Sequence, residues 1–457
     1  LAVGGNVSIG GTLSVTGAVS LASTLSVGGA ANFASTVTVV GAGVFKSTVT
    51  VEGATHLKAA TSIGGALTVD GGTIKLDGNY PTGTNNVALG DTALDSVESG
   101  GNNNIAIGNQ ALTALTTGDH NTVVGGEAMD TATTSENNVA VGYQTGTAIT
   151  TGSYNTLTGH KAGVAITTGA YNAMFGYLAG DALTTASGVT CIGNGAGGAI
   201  TTGSTNTAVG SQALDACTTG SGNTAVGNDA GGALTTGTVS TFIGVNAGVA
   251  QTTAANNTLV GHSAGAAITT GGTNCAFGAY ALDACTTGVV NAAFGVNALG
   301  AVTDGGYNTA FGNEAGAAIT TGDNNVLIGY AAGDAVTTVS SLVAVGASAL
   351  GANTSGTSNT AVGRSAGAAI TSGASNTVIG HEAGTAITTA DGMTLVGTTC
   401  GDAITTGASN TAMGHEAMST CTTGTESVAI GRYALQDMTT ATNNTAMGVD
   451  SLGANTT

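Results

Sequence analysis

A glycine recurs at every seventeenth position from Gly108 to Gly448, without an insertion or deletion in 20 successive steps. One further step back from Gly108, longer by a single position, leads to Gly90, so that 22 copies follow one another. Each copy reads roughly NTAVG-xx-AG-x-AITTG-xx, as Asn206 to Gly210 illustrates. A strict period of this length is typical of a chain that stacks one unit on the next, because a single repeat cannot bury its apolar face alone. The repeat predicts a solenoid in which every copy forms one coil.

The region before the coils, residues 1–72, follows a shorter period of six. An apolar residue stands at every sixth position from Ile9 to Val69, and a looser apolar row lies two residues earlier. Residues at i and i+2 share one face of a strand, and a single narrow chain cannot hide such a row from water. We predict a trimeric β-shaft for residues 1–72, with a single-chain hexapeptide β-helix as the alternative. Residues 73–85 break both periods and form a junction before the coil array of residues 86–457.

The residues just before the repeat glycine predict a strand that is covered on both faces. The residue directly before it is apolar in 21 of 22 copies, Thr158 being the exception, and the residue before that is apolar in all 22. Since neighbouring residues of a strand point to opposite faces, one face fills the coil and the other requires a partner surface. The second of these positions is usually alanine, so we expect the alanine face to contact another subunit.

The predicted fold class is therefore all-β: an elongated parallel β-solenoid or β-roll of 17-residue coils, preceded by the hexad-repeat β-shaft, in a homotrimeric fibre. Within the coil, the position four residues after the glycine and the position three residues further on trade volume: Gly163 is followed by Ile166, whereas Leu214 is followed by Cys217. Close-packed layers require such compensation. Gln251 departs from it, and the sequence offers no reason.

Polar residues recur in the same way. Asn stands four residues before the glycine in 17 of 22 copies, and Thr stands three residues before it in 13 copies and again in a recurring TTG turn. At a strand spacing of about 4.8 Å, stacked amides and hydroxyls can form hydrogen-bonded ladders along the rod. A ligand-binding row of Asn side chains is the alternative interpretation.

Charge and hydropathy limit the partners. The chain has 25 acidic and six basic residues, a net charge of −19, and its bases form no patch. Because nucleic-acid recognition needs clustered Lys and Arg, no nucleic-acid partner is predicted. No apolar run is long enough to span a bilayer, so no membrane insertion is predicted either. The sequence starts at Leu1 inside one repeat and stops at Thr457 inside another, from which we expect a piece of a longer polypeptide.

The reactive side chains suggest no enzyme, no metal site and no cofactor. The six cysteines fall on apolar or small positions without a CxxC pair, and we interpret them as small core residues. Four histidines directly follow the repeat glycine, at a position so variable that a solvated turn is indicated: His160, His262, His381 and His415. Three copies of one such histidine that met on a threefold axis would be able to bind a metal, which is the alternative.

Exposed aromatic and histidine side chains are the only binding candidates. Tyr143, Tyr177 and Tyr330 also directly follow the repeat glycine, and an exposed tyrosine ring can stack on a sugar. Together with His381 and His415 they are the surface residues that we select for contact with a host-cell glycan or protein.

The pattern NTAVG-xx-AL-xxx-TTG-xx, as in Asn206 to Gly220, resembles a 17-residue repeat of phage tail-fibre and related fibre proteins. The resemblance covers residues 86–457, and the hexads of residues 1–72 are similar to the trimeric β-shafts of phage fibres. It implies an extracellular homotrimer that projects from a virion, with host recognition usually at the distal end. Many members end in a self-cleaving intramolecular chaperone, which nothing in this sequence matches.

Two further classes compete with this interpretation. The coil is similar to the head of trimeric autotransporter adhesins, whose shorter repeats read NSVAIG, and Asn86 to Gly90 reads NVALG. That resemblance implies a bacterial surface adhesin, although the coiled-coil stalk and membrane anchor of the family are not found here. The threonine ladders and low charge also suggest an ice-binding solenoid. Flat ice-binding faces typically need Thr at i and i+2, whereas the recurring Thr pair is adjacent, so this class ranks last.

Overall fold

The structure is a computed structural model, and it describes residues 83–454 together with Thr16. Apart from Thr16, the predicted shaft and residues 73–82 of the junction lie outside the described residues. Within residues 83–454 the regular secondary structure consists of 22 strands, each three residues long, with no helix. The strands are β1 (Val87–Leu89), β2 (Ile105–Ile107), β3 (Thr122–Val124), β4 (Val139–Val141), β5 (Thr156–Thr158), β6 (Ala173–Phe175), β7 (Thr190–Ile192), β8 (Thr207–Val209), β9 (Thr224–Val226), β10 (Thr241–Ile243), β11 (Thr258–Val260), β12 (Cys275–Phe277), β13 (Ala292–Phe294), β14 (Thr309–Phe311), β15 (Val326–Ile328), β16 (Val343–Val345), β17 (Thr360–Val362), β18 (Thr377–Ile379), β19 (Thr394–Val396), β20 (Thr411–Met413), β21 (Val428–Ile430) and β22 (Thr445–Met447).

Each strand pairs in parallel with the strand of the next copy, and equivalent positions lie opposite each other, as Ala208 and Ala225 do. This confirms the parallel β-solenoid with one strand per coil. At a spacing of about 4.8 Å, the 21 steps span about 100 Å. The single 18-residue copy keeps the same register, because Val87 still pairs with Ile105. Its extra residue falls in the turn near Gly100, where a bond from the Gly101 N–H to the Glu98 carbonyl closes the loop.

The repeat glycine is invariant because its backbone conformation and its surroundings both exclude a side chain. Its φ lies between 123° and 149° in all 22 copies, a region open almost only to glycine. A Cβ atom on Gly210 would lie 2.4 Å from the carbonyl oxygen of Gly227 in the next coil. The glycine of the TTG turn is approached just as closely, but its φ is not positive, and Ser135 or Ala186 replaces it in other copies. The backbone conformation therefore fixes the period.

The corners of each coil also use left-handed backbone. Positions five residues before, two after and four after the repeat glycine include 50 non-glycine residues with φ between 48° and 63°. Asn and Ser tolerate this region, yet the β-branched Val239 and Val290 also adopt it. Each L-residue there costs roughly 1–2 kcal/mol. Stacking on the neighbouring coils must offset that cost, so a coil of this shape depends on its neighbours.

The middle residue of each strand points into the coil, and the row that these residues form, one from every strand, is called the inner column below. Ala208 is fully buried, whereas Thr207 and Val209 on either side of it are partly exposed. The expectation that the alanine face contacts another subunit is therefore wrong. Alanine lies inside because a 17-residue coil is narrow. The large Phe242 fits in this column because glycines flank its ring. A Cβ atom on Gly231 would lie 2.8 Å from the ring of Phe242, and a Cβ atom on Gly248 would lie 2.5 Å from it.

The predicted exchange of volume within the core is confirmed. A Cβ atom on Gly163 would come within 2.6 Å of the Ile166 side chain, whereas the bulkier Leu214 is buried together with the small Cys217. The left-handed conformation at this position explains why the small partner is glycine and not alanine.

The structure also explains Gln251, which is fully buried. Its Nε2 donates to the carbonyl of Ala254 at 2.8 Å and lies 3.3 Å from Oγ of Ser240, and its Oε1 accepts from Nδ2 of Asn257 at 2.9 Å. Ser240 occupies the position that Asn holds in most coils. Gln251 therefore supplies, from across the core, the amide that Ser240 lacks.

The asparagine ladder is confirmed. Oδ1 of Asn104 accepts the backbone N–H of Asn121 at 2.9 Å, and Nδ2 of Asn121 donates to the Ser135 carbonyl at 2.9 Å. The described asparagines of this row are at most 6% exposed, except the last one, Asn444, which is partly exposed. The row therefore stabilises the stack and is closed to ligands along its length. A second ladder lies in the TTG turn, where a threonine hydroxyl donates to the carbonyl of the next coil's threonine in most copies, as Thr116 does to Thr133 at 3.0 Å.

Candidate oligomer interface and adhesion surface

The third residue of each strand points away from the coil, opposite to the inner column. This row, called the outer column below, is apolar in 21 of 22 copies. Twelve of its apolar members are between 37% and 70% exposed. They are Leu89, Val141, Phe175, Ile192, Val226, Ile243, Phe277, Phe311, Ile328, Ile379, Met413 and Met447. The outer column and the first strand residues beside it form the outward face of the sheet.

No charged residue occupies either outward position in any of the 22 described strands, although the chain carries a net charge of −19. The first position holds Thr or Val in most strands, which adds methyl groups to the face. Acidic side chains are instead found in the turns, for example Asp215 and Glu314. The outward face is therefore a neutral, largely apolar stripe on a strongly acidic chain.

The size of the stripe matters for its interpretation. A length of about 100 Å and a width of about 7 Å, set by two strand residues, give roughly 700 Å² per chain. Monomeric proteins rarely expose continuous apolar patches larger than a few hundred Å². A standard protein–protein interface buries about 800 Å² on each partner. The outward face therefore has the area and the chemistry of a protein interface.

Two of the selected tyrosines lie in one aromatic group. The rings of Tyr143 and Tyr177 are two coils apart, and His160 lies between them, with centroid distances of 5.7 Å and 5.3 Å. These three residues are called the Tyr–His ladder below. At the other corner of the same region, Tyr154 and Tyr171 stack at 5.0 Å with nearly parallel rings. Reasoning from the sequence missed this pair, although its members lie one repeat apart and both stand five residues before the repeat glycine.

The other selected residues lie apart from this group and from one another. Tyr330 is 57% exposed and stands nine coils beyond Tyr177. Nε2 of His381 accepts hydrogen bonds from the Arg364 guanidinium, at 3.1 Å from Nε and 2.9 Å from Nη2, and that guanidinium also pairs with Glu382.

His415 lies edge-on to the ring of Tyr433, 5.7 Å away, and 3.6 Å from a carboxylate oxygen of Glu416. Each selected histidine is thus beside a glutamate, and the two are not brought together. Across residues 83–454, no group of three or more His, Cys, Asp or Glu side chains is arranged to hold a metal ion.

All six cysteines lie within the described residues and are free thiols. Five are buried, as expected for core residues, and burial raises the pKa of Cys191 to about 12 and that of Cys217 to about 11. Cys275 departs from the expectation. It is the first residue of β12 and lies partly exposed on the outward face.

Several aspartates five residues after the repeat glycine are half-buried at the rim of the coil. Burial raises the pKa of the Asp181 and Asp215 carboxyls above their usual 3.8, and the negative charge of Asp215 raises that of Asp181 further. Both carboxylates lie close to Gly198. A Cβ atom at that glycine would lie 2.9 Å from Oδ1 of Asp215 and 3.5 Å from Oδ1 of Asp181. These groups oppose folding when they are ionised.

No protein-family model matches the chain, and no curated protein matches its sequence. In the described part of the chain no helix is long and apolar enough to cross a bilayer. The fold by itself defines the class of the protein: a repeat protein built as a parallel β-solenoid.

Proposed function

We propose that the chain is a segment of a homotrimeric fibre of the phage tail-fibre type, which acts outside the cell as a rigid spacer and carries a surface for adhesion to a host. The observation that carries this proposal is the neutral, largely apolar outward face, which has no charged residue in any of the 22 described strands and whose outer column is apolar in 21 of them. An acidic chain gains nothing by presenting such a stripe to water, and burial against other chains removes it from solvent.

The period of the stripe favours a second copy as the partner. Any surface that covers the outer column must present apolar groups about every 4.8 Å over about 100 Å. Another copy of this chain does so by construction, and both surfaces are uncharged, so that the acidic turns remain at the rim. The number three comes from the resemblance of both the coil and the hexads to trimeric fibres.

The role as a spacer follows from the connections between coils. Besides the strand pairs, neighbouring coils are joined by backbone bonds in the turns, by the asparagine ladder and by the threonine ladder. Each coil is therefore fixed to the next on several sides, which resists bending of the stack. The acidic surface outside the stripe keeps separate fibres apart in solution.

The test of assembly is the native mass of the full chain by light scattering and sedimentation over a range of micromolar concentrations. We expect a mass of three chains. A mass of one chain throughout this range would overturn the oligomer. Antibody labelling of virions and of bacterial cells then separates the tail-fibre proposal from the bacterial surface adhesin. An assay of thermal hysteresis addresses the ice-binding class, which activity there would favour.

For adhesion we propose the aromatic group formed by the Tyr–His ladder and the Tyr154–Tyr171 pair. Its four tyrosines are between 46% and 66% exposed, and they are concentrated on three consecutive coils. Clustered exposed aromatic rings are typical of surfaces that bind sugars or proteins. Binding of the fibre to a panel of host glycans and to host cells tests this proposal.

The double variant Tyr154→Ser, Tyr171→Ser is expected to reduce that binding at least tenfold. Tyr330→Ser is the matched control, since its ring is equally exposed but stands alone. Equal loss in both variants, or in neither, would contradict the assignment of adhesion to this group.

A further inference from the structure

A face that repeats every coil is ambiguous in register. If two copies slide past each other by one coil, nearly every contact between apolar residues of the outer column forms again, because 21 of its 22 members are apolar. Register is weakly specified wherever the pairing surfaces are uniform. A fibre of defined structure therefore needs a place where the uniformity is broken.

The longest break in the uniformity of the outer column covers three consecutive strands, β12 to β14. Phe277, Phe294 and Phe311 are called the Phe cluster below. Their rings stack along the sheet, with centroid distances of 5.1 Å and 5.6 Å, and Phe311 is 59% exposed. The aliphatic Val260 precedes the cluster and Ile328 follows it. The column contains one further phenylalanine, Phe175, which stands alone six coils away.

The first strand residues beside these rings vary in a correlated way. That position holds Thr, Val or Ile in every strand except three, where it is Ala173, Cys275 or Ala292. All three exceptions occur on strands whose third residue is phenylalanine. In these three strands the outward face thus exchanges volume between its two rows, as the core does, whereas β14 keeps Thr309 beside Phe311. Water fills any shape and imposes no such exchange, whereas close packing against another protein surface requires it.

Exposed apolar side chains at the neighbouring corners widen this part of the face. Val290 and Tyr307 precede β13 and β14, and Val296 follows β13, and these three are between 42% and 60% exposed. Exposed apolar side chains at the corners therefore accompany the least uniform part of the outward face. An interface that depends on a few aromatic anchors is expected to have its centre here.

From these observations we infer that copies of the chain pack through the outward face in a single register, and that the Phe cluster sets this register by meeting the Phe clusters of the other copies. The inference rests on the proposed homotrimer and names the surface that builds it. A slip by one coil places a phenylalanine against an aliphatic side chain at each end of the cluster. The mismatch leaves a gap at one end of the cluster and crowds the side chains at the other. Along the rest of the column the same slip exchanges one aliphatic side chain for another, which costs little packing energy.

Disulfide formation tests the register, because a disulfide requires Cα atoms within about 7 Å and a slip of one coil moves them apart by about 4.8 Å. Chains with Val209→Cys are refolded together with chains of different mass that carry Val226→Cys, the equivalent residue of the next coil. A parallel pair uses Thr207→Cys and Thr224→Cys, in case the first strand position lies nearer the partner. All chains carry Cys275→Ala, which removes the exposed native thiol.

In this background, in-register packing gives disulfides between identical positions, and we expect them to exceed those between neighbouring coils at least tenfold. Replacement of the whole Phe cluster by Val, the commonest residue of the column, is expected to bring the two products within about twofold of each other. Phe175→Val is the matched control and is expected to leave the ratio unchanged.

The outcomes separate this inference from the proposed function. A mass of one chain overturns the homotrimer and this inference with it. A mass of three chains without disulfides in either cysteine pair shows that the outward face is not the interface. It overturns this inference and the argument from the outward face, while the homotrimer itself stands. A triple Val variant that keeps the native ratio of disulfides shows that another part of the chain sets the register.

Discussion

The inner and outer columns lie on adjacent residues of the same strands, and both are apolar almost without exception. The inner column is closed by its own chain, through the turn residues that fill the coil beside it. The outward face, to which the outer column belongs, has no such cover within the described residues, yet in three strands its two rows show the same exchange of volume that a core shows. In the proposed fibre, such a face has the pattern of a packed core while another molecule completes it.

The largest difference between the two columns is expected when a charged side chain is introduced into each of them. Ala208→Asp places a carboxylate in a fully buried position without a partner, and should cost about 3 kcal/mol or more of stability in that region. Ile192→Asp, Val226→Asp and Val260→Asp lie two coils apart, so that the new carboxylates are not directly opposed. Because these residues point outward, the coils should stay folded, but assembly should weaken at least about a hundredfold. Thermal unfolding measures the first effect, and sedimentation the second. The comparison fails if the outward variant unfolds or if it still assembles normally.

The cysteines offer a second way to separate the columns. Burial raises the pKa of Cys191 and Cys400 to about 12, so their thiolate fraction at pH 8 falls about a thousandfold below that of a thiol of pKa 9. In the assembled fibre we expect all six thiols to react slowly with a maleimide. In the outward Asp variant, Cys275 alone should become reactive within minutes. Rapid labelling of Cys275 in the native assembly would show that the outward face is open there.

A smaller effect is expected from the asparagine ladder, which belongs wholly to the inside of the coil. Asn121→Ala leaves the backbone N–H of Asn138 buried without its acceptor. It also removes the hydrogen bond from the side-chain amide of Asn121 to the carbonyl of Ser135. Each lost partner costs about 1–3 kcal/mol. Hydrogen exchange should become faster in the coils on both sides, while the native mass stays unchanged. A change in mass would mean that the ladder also supports the outward face.

The smallest effect is the pH dependence of stability, which arises from aspartates at the rim of the coil. Asp181, Asp215 and Asp402 have pKa values raised by burial, so the folded state keeps protons that the unfolded chain releases above pH 3.8. The free energy of unfolding should therefore fall as the pH rises from 3.8 through the raised values, and be lower at pH 7. Asp181→Asn is expected to stabilise the chain modestly at pH 7 and not at pH 3. The exposed Asp450→Asn is the control, and an equal gain there would point to net charge alone.

The sequence was sufficient to predict those structural features that arise because the same residue type recurs at the same position of every repeat. The coil length, the parallel stacking, the asparagine ladder and the exchange between positions such as Gly163 and Ile166 could all be predicted, because each recurs in register. The direction of the strand could not. With apolar residues at both Ala208 and Val209 there is no alternation to tell the two faces apart, and the preference for alanine inside reflects the width of the coil, which only the structure shows.

Other features depended on contacts between coils. The role of Gln251 became clear only when Ser240 and Asn257 were found beside it. Of the candidate site, the proximity of Tyr143 to Tyr177 follows from their spacing, but the contribution of His160 and of the Tyr154–Tyr171 pair required the stacking geometry. The hexad shaft stays a prediction, since residues 1–72, apart from Thr16, lie outside the described part.

The longer first copy carries a practical consequence. Its extra residue is absorbed by the turn near Gly100 without any shift in the pairing of Val87 with Ile105. That turn is therefore a place where foreign sequence can be inserted while the backbone pattern on either side continues. Because the same turn recurs in every coil, the array offers insertion sites at a regular spacing of about 4.8 Å. Its length can be set by adding or removing whole copies of the repeat.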